Sequence, residues 1–151
     1  MQARSSIQQR LFADGTCFGC GPANDRGLRI NSFEQDDGVV ASFTPWPEHD
    51  NGAGFLNGGI VATVLDCHSA AAMMVAAERN GWPALVDGAP PFVTSGIDVR
   101  YLRPSPLHGA VELWAAVESA TDADMIIAAE LRADGKVRAA ATASWRRFRP
   151  R

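Results

Sequence analysis

The sequence has no surplus of positive charge: 14 Lys and Arg stand against 17 Asp and Glu, a formal net charge of −3 at pH 7. Without a dense basic stripe it cannot build the phosphate-neutralising field of a nucleic-acid binder, so no nucleic-acid partner is expected. Long apolar runs are also missing. The strongest lie at Ile60 to Leu65 and Ala70 to Ala77, divided by Asp66 and His68, and neither reaches the length of a bilayer span, so no membrane partner is expected. Met1 to Arg10 carries scattered charge and no apolar core of the secretory kind, which makes the cytoplasm the expected location. Cysteine is scarce and odd in number, three in all, which points to free thiols in a reducing compartment rather than to a disulfide framework. Repeats and low-complexity segments are absent. What remains is 151 residues, 46% hydrophobic and 21% charged, the balance of one globular domain over residues 1–151 with a single core.

Local signals divide that domain. Ser5 to Ala13 reads as a short amphipathic helix on Ile7, Leu11 and Phe12, and Asp14 to Gly27, rich in Gly with Pro22, Asn24 and two Cys, reads as an ordered loop. Leu28 to Phe33 and Val39 to Phe43 alternate apolar and polar residues around Gln35-Asp36-Asp37-Gly38, which predicts a β-hairpin. Pro45-Trp46-Pro47 stops the second strand. A Gly-rich stretch from Asn51 then leads into a helix from Gly59 to about Arg79 that is apolar almost all round and must be buried. Asn80-Gly81-Trp82-Pro83 ends it. Strands are expected near Phe92 to Leu102, Ala110 to Glu118, Met125 to Arg132 and Val137 to Phe148, although Met125 to Leu131 also suits a helix. The fold class is α+β, one antiparallel sheet wrapped around one long central helix.

The chemistry concentrates in Asn51-x-x-Gly54-x-x-Asn57-Gly58-Gly59, with Asp66 seven residues after Gly59. Gly58 and Gly59 fall at the start of the helix, where amides lack intrahelical acceptors and carry the positive end of the dipole. Having no Cβ, they admit close approach of a carbonyl oxygen and can stabilise the charge that develops on a thioester or ester. Asp66 lies in an otherwise apolar helix, where an unpaired carboxylate would cost several kcal/mol. Either it pairs locally, with His68 or a backbone amide, or it is a general base or nucleophile. Gly58 and Asp66 are eight positions apart, about 12 Å along a helix, too far to meet at one reacting group. Two helices antiparallel across a two-fold axis would bring Gly58 of one subunit to Asp66 of the other. The expectation is an active site shared between chains, in a homodimer or a dimer of dimers.

These residues resemble the hotdog-fold acyl-CoA thioesterases, in particular the PaaI-like family, whose motif reads approximately N-x-x-G-x-x-H-G-G-x6-D. Ile97 to Pro104 resembles the family's strand after the helix, and Cys20-Gly21 through Asn24 to Gly27-Leu28 resembles its N-terminal segment. The resemblance implies that the Gly58 amide polarises a thioester carbonyl, that Asp66 activates water or attacks the carbonyl, and that Asn51 helps place substrate or water. It implies an acyl-CoA substrate and no cofactor. Where the family has His this chain has Asn57, which cannot titrate but can orient the turn by hydrogen bonding.

Around this centre, Asn57, Gly59, Thr94, Ser95 and Arg103 form the expected substrate-binding set. Arg100 and Arg103 suit the phosphates of a coenzyme A tail or plain solvent exposure, and Arg146, Arg147, Arg149 and Arg151 form either a phosphate-binding run or a solvated tail. Trp46 and Phe55 either line an acyl tunnel or pack in the core. His49 and His68 are the histidines close enough in sequence to replace the missing one. Cys17-x-x-Cys20 resembles half of a zinc site, but Cys67, His49 and His68 would have to complete it from afar, so no metal is expected. Two other activities compete with thioester hydrolysis: hydration or dehydration of an acyl-CoA, which usually needs the missing His, and binding of an acyl-CoA or small ligand without turnover.

Overall fold

The computed structural model describes residues 3–82, 84, 88 and 90–149. Its first element, α1 (Ile7–Leu11), is shorter than the expected Ser5 to Ala13 because both ends are capped early. The Gln9 amide donates to Ser6 Oγ at 3.1 Å and the Gln9 side chain accepts from the Ser6 amide at 3.0 Å, a reciprocal capping box.

The predicted hairpin is present but its first strand is cut back: β1 is Phe33–Gln35 and β2 is Gly38–Phe43. Leu28, Ile30 and Ser32 are buried in alternation with exposed Arg29 and Asn31, as a strand would have them. Their backbone groups bond elsewhere, however. The Leu28 and Ile30 amides donate to the carbonyls of Phe18 and Gly19, and the Ser32 carbonyl accepts from Ile7. The N-terminal loop thus takes the hydrogen bonds that would have extended the ladder.

Asp66 and His68 do not divide the apolar stretch: residues Gly58–Arg79 form one continuous helix, α2. It is long and apolar enough by itself to cross a membrane, which corrects the expectation of two short runs, but here it is mostly buried as the core helix. Asn57 caps it, one residue earlier than expected. At its end the Trp82 and Gly81 amides donate to Ala77 and Glu78 carbonyls, with Gly81 at φ 68°, a Schellman arrangement. Pro83, the expected terminator, lies outside the described residues.

Four long strands follow, β3 (Phe92–Tyr101), β4 (Val111–Ala120), β5 (Asp124–Ala133) and β6 (Lys136–Arg147), in a six-stranded antiparallel sheet of order β1-β2-β4-β5-β6-β3. Met125 to Leu131 is therefore strand, not helix; pairing with β4 and β6 on both sides outweighs its Ala content. The β5–β6 turn is the Asp134-Gly135 pair, both at positive φ (53° and 72°), as a two-residue hairpin requires. Leu113, Ala115, Ile127, Ala129, Leu131, Ala139, Ala141 and Ala143 are buried beneath α2, the alanines letting helix and sheet approach closely. The sheet wraps one face around the helix, the hotdog architecture expected. β3 closes one side of the sheet, its outer edge unpaired among the described residues.

Candidate active site

The turn ahead of α2 is built by side chains that cap backbone amides. Asp50 Oδ1 accepts from the Gly52 and Gly54 amides at 2.9 Å each, and Asn51 Oδ1 accepts from Ala53 at 2.8 Å and Phe55 at 3.2 Å. Gly52 and Gly54 adopt φ of 90° and 84°, a region open to glycine at little cost. Asn51, expected to place substrate or water, thus spends its carboxamide oxygen on holding the loop.

Asn57 does the same one step later. Its Oδ1 accepts from Gly59 at 2.8 Å and Ile60 at 3.2 Å, so the Gly59 amide of the expected binding set is already engaged. A Cβ at Gly59 would meet Asn57 Oδ1 at 3.0 Å. The Gly58 amide precedes the capped pair and has no intrahelical acceptor. Its carbonyl accepts from the Tyr101 hydroxyl at 2.7 Å, which ties the start of α2 to the end of β3.

The other end of β3 holds Asp66. Thr94 Oγ1 donates to Asp66 Oδ1 at 2.8 Å, which replaces the local pairing with His68 or a backbone amide as the way this acid is satisfied. Burial raises the Asp66 carboxyl above the usual carboxylate range, the Thr94 hydroxyl offsets part of the rise, and the neighbouring Cys17 thiolate adds to it. An acid half-buried, raised and held by one hydroxyl is suited to taking up and returning a proton. Gly58 and Asp66 are thus fastened to the same edge strand at its two ends.

The remaining candidates separate. His68 is fully buried, its Nε2 donating to the Val39 carbonyl at 3.0 Å and its Nδ1 accepting from Ser32 Oγ at 2.9 Å. Ser32 Oγ in turn accepts from Gln8 Nε2 at 3.1 Å. That network needs neutral imidazole, and burial pushes the group down to about 4. His68 is a core histidine joining α1, β2 and α2. His49 accepts at Nδ1 from the Trp46 amide at 2.9 Å and stacks on the Trp46 ring, 4.7 Å between centroids. Its backbone carbonyl also accepts from Asn57, so it braces the turn.

Ser95 donates to the Ser144 carbonyl at 3.1 Å, next to the register shift between Thr94 and Gly96. Arg103 is exposed just beyond β3, its backbone amide bonded to the Arg138 carbonyl. Arg100 pairs with Asp98 at 3.6 Å and Arg146 with Asp124 at 3.2 Å, while Arg147 lies over the Phe92 ring. These pairings favour the solvated reading of the C-terminal run; Arg149 is exposed and Arg151 lies outside the described residues. Trp46 and Phe55 are partly exposed beside the turn.

Two features were not read from the sequence. Tyr101 reads locally only as part of a strand, and its bond to Gly58 depends on strand and helix meeting in space. The thiols also converge: Cys67, one residue after Asp66, lies with its sulfur 3.6 Å from that of Cys17, and Cys20 joins them. Hydrogen bonds from the Cys20 and Cys67 thiols lower Cys17, and donating to it raises the other two.

Comparison with known proteins agrees with this architecture. No curated protein matches the chain. Among solved structures, a phenylacetic acid degradation-related protein from Ralstonia eutropha JMP134 is 23% identical, with a TM-score of 0.69 over 94% of this chain and 99% of that one. The PaaI protein of E. coli is 20% identical, with a TM-score of 0.65 over 81% of each chain. A Bacillus halodurans protein solved with CoA is 25% identical, with a TM-score of 0.63 over 82% of this chain and 77% of that one. All three share the fold of a long helix wrapped by one sheet. Residues 53–140, which run from the glycine turn through α2 into β6, match the sequence pattern of the thioesterase superfamily, and this hotdog-fold chain belongs to that superfamily.

Proposed function

We propose that the protein hydrolyses an acyl-CoA or related thioester at sites shared between two copies of the chain. The observation that carries this reading is the attachment of both ends of α2 chemistry, the Gly58 carbonyl and the Asp66 carboxylate, to β3. That strand is ten residues long, unpaired on its outer side among the described residues, and exposes Val93, Ile97 and Tyr101. A long apolar edge of this kind invites a second strand. Two β3 edges paired about a two-fold axis set the two α2 helices antiparallel, so that Gly58 of one copy faces Asp66 of its partner. The relative solved with CoA supports a CoA thioester as substrate.

In this mechanism the Gly58 amide donates to the thioester carbonyl oxygen and stabilises the oxyanion. Asp66 removes a proton from water as the water oxygen adds to the carbonyl carbon; the C–S bond then breaks and the thiolate leaves with the proton from Asp66, giving a carboxylic acid and a free thiol. Direct attack by Asp66 would instead pass through an anhydride that water opens. Single turnover in 18O-labelled water identifies an anhydride that water opens at the Asp66 carbonyl, because only that opening carries an enzyme oxygen into the first product. Asn57 takes no proton in either route. Its oxygen caps α2, which counts against the hydratase reading that needs a second acid-base group.

The test is Asp66→Asn with thiol release measured on a panel of acyl-CoAs and subunit number measured in the same preparation. Turnover is expected to fall by about 10²–10⁴, the range for losing a positioned acid-base group. Undiminished turnover with every substrate removes the mechanism, and tight thioester binding without turnover in the unaltered protein establishes a binding function instead.

A further inference from the structure

We propose that Cys17, Cys20 and Cys67 together bind one zinc(II) ion, with the fourth coordination position left to water or another exogenous donor. The three sulfurs lie within 4.8 Å of one another, and those of Cys17 and Cys67 are 3.6 Å apart. A tetrahedral zinc ion with Zn–S distances of about 2.3 Å places its sulfurs about 3.8 Å apart. The observed spread closes onto one ion with small side-chain rotations.

The convergence is fixed by backbone rather than by chance rotamers. Cys67 is held on α2. The loop that carries the other two thiols is closed on itself by the Gly21 amide donating to the Cys17 carbonyl at 2.8 Å. A Cβ at Gly21 would fall 2.4 Å from the Cys17 nitrogen and 2.5 Å from the Gly15 oxygen, so only glycine fits that closure. At Gly19 a Cβ would fall 2.1 Å from Cys67 Sγ, which shows how closely the loop lies on the helix. The Phe18 and Gly19 carbonyls are in turn held by the Leu28 and Ile30 amides. Both glycines and both loop thiols thus serve one arrangement centred on Cys67.

Three convergent thiols fit a metal better than a disulfide. Pairing any two leaves the third as a lone thiol, and Cys20 and Cys67 are both buried. An all-sulfur donor set selects thiophilic ions over magnesium or calcium. Cys17 is exposed, which leaves one side of the cluster open for a fourth ligand. On binding, the thiols release their protons, and three thiolates around Zn2+ carry one net negative charge. The ion would clamp the loop around residues 15–21 onto the turn of α2 that carries Asp66.

The full-length protein, purified under reducing conditions without chelator, is assayed for bound metal by mass spectrometry. After metal removal it is titrated with Zn2+ and with Co2+, whose thiolate charge-transfer absorption reports sulfur ligation. One ion per chain and a cobalt–thiolate band are expected, both lost in Cys17→Ser and in Cys67→Ser. Cys17 is exposed, so its variant keeps the test open if the buried Cys67 change prevents folding. Asp66→Asn should keep the full complement of metal while losing turnover, which separates this proposal from the catalytic one. Stoichiometry unchanged by both cysteine substitutions, no binding of either ion, or a Cys17–Cys20 or Cys17–Cys67 disulfide in the denatured protein overturns it.

Discussion

Replacing Gly58 by alanine separates the chemistry of the site from its scaffold. Gly58 is the first residue of α2, and the nearest atoms a Cβ built there meets are the Tyr101 ring and hydroxyl, at 3.5 Å, an ordinary van der Waals contact. The fold therefore accepts the methyl group. Alanine also favours a helix over glycine by up to about 1 kcal/mol in a helix interior and by less at the first position. For a chain of this size that raises Tm by at most about 2–4 °C. Catalysis should respond in the opposite direction. A donor to an oxyanion must lie about 2.7–3.1 Å from it, and loss of one donor costs about 10²–10³ in kcat. A methyl beside the amide displaces the carbonyl without deleting the donor, so a fall of about 10–100-fold in kcat/KM is expected. Gly59→Ala is the contrasting variant: its Cβ would crowd Asn57 Oδ1 at 3.0 Å, so the helix cap weakens and stability falls. Thermal melts and thiol-release kinetics on both proteins decide the matter. Retention of wild-type kcat/KM by Gly58→Ala across the acyl-CoA panel refutes the claim that a carbonyl binds at this amide.

The remaining predictions concern the scaffold and the edge. Asn57→Ala removes the acceptor of two amides and should cost about 1 kcal/mol, whereas Asn57→Asp keeps an acceptor and adds favourable charge at the helix start; denaturant melts of the three proteins measure this. His68, held down to about 4 when folded against an ordinary 6.5, binds a proton more readily in the unfolded chain, so its contribution is complete above pH 6.5 and is lost as pH falls towards 4. The loss amounts to about 3 kcal/mol, and equal pH slopes of unfolding free energy for His68→Gln and the unaltered protein would contradict it. Ile97→Lys places a charge on the exposed face of β3 and should convert the proposed dimer to monomers by light scattering, with thiol release lost in parallel; a monomeric variant that keeps full turnover rejects the shared site.

Several elements were written locally in the chain. The apolar run of residues 58–79, the Asp134-Gly135 turn and the glycines at 58 and 59 that begin the helix depend on near neighbours, so their chemistry can be read without the fold. Asp66 stood out for the same reason, as one carboxylate in an apolar helix. Boundaries failed where long-range partners intervened: Leu28 to Ser32 has a strand's alternation but gives its backbone bonds to the N-terminal loop and α1, and Met125 to Leu131 became strand because β4 and β6 flank it.

By itself the sequence determined the element types, the buried helix and the acid within the helix that follows a glycine turn, because these follow from spacing and side-chain chemistry within a few residues. Only the tertiary structure decided what each group meets. It gave Asp66 its hydroxyl from Thr94, gave Gly58 the hydroxyl of Tyr101, made His68 a core residue, and drew Cys67 onto a pair of thiols about fifty positions earlier. Those contacts join residues far apart in the chain, and they come into being only when one sheet closes around one helix.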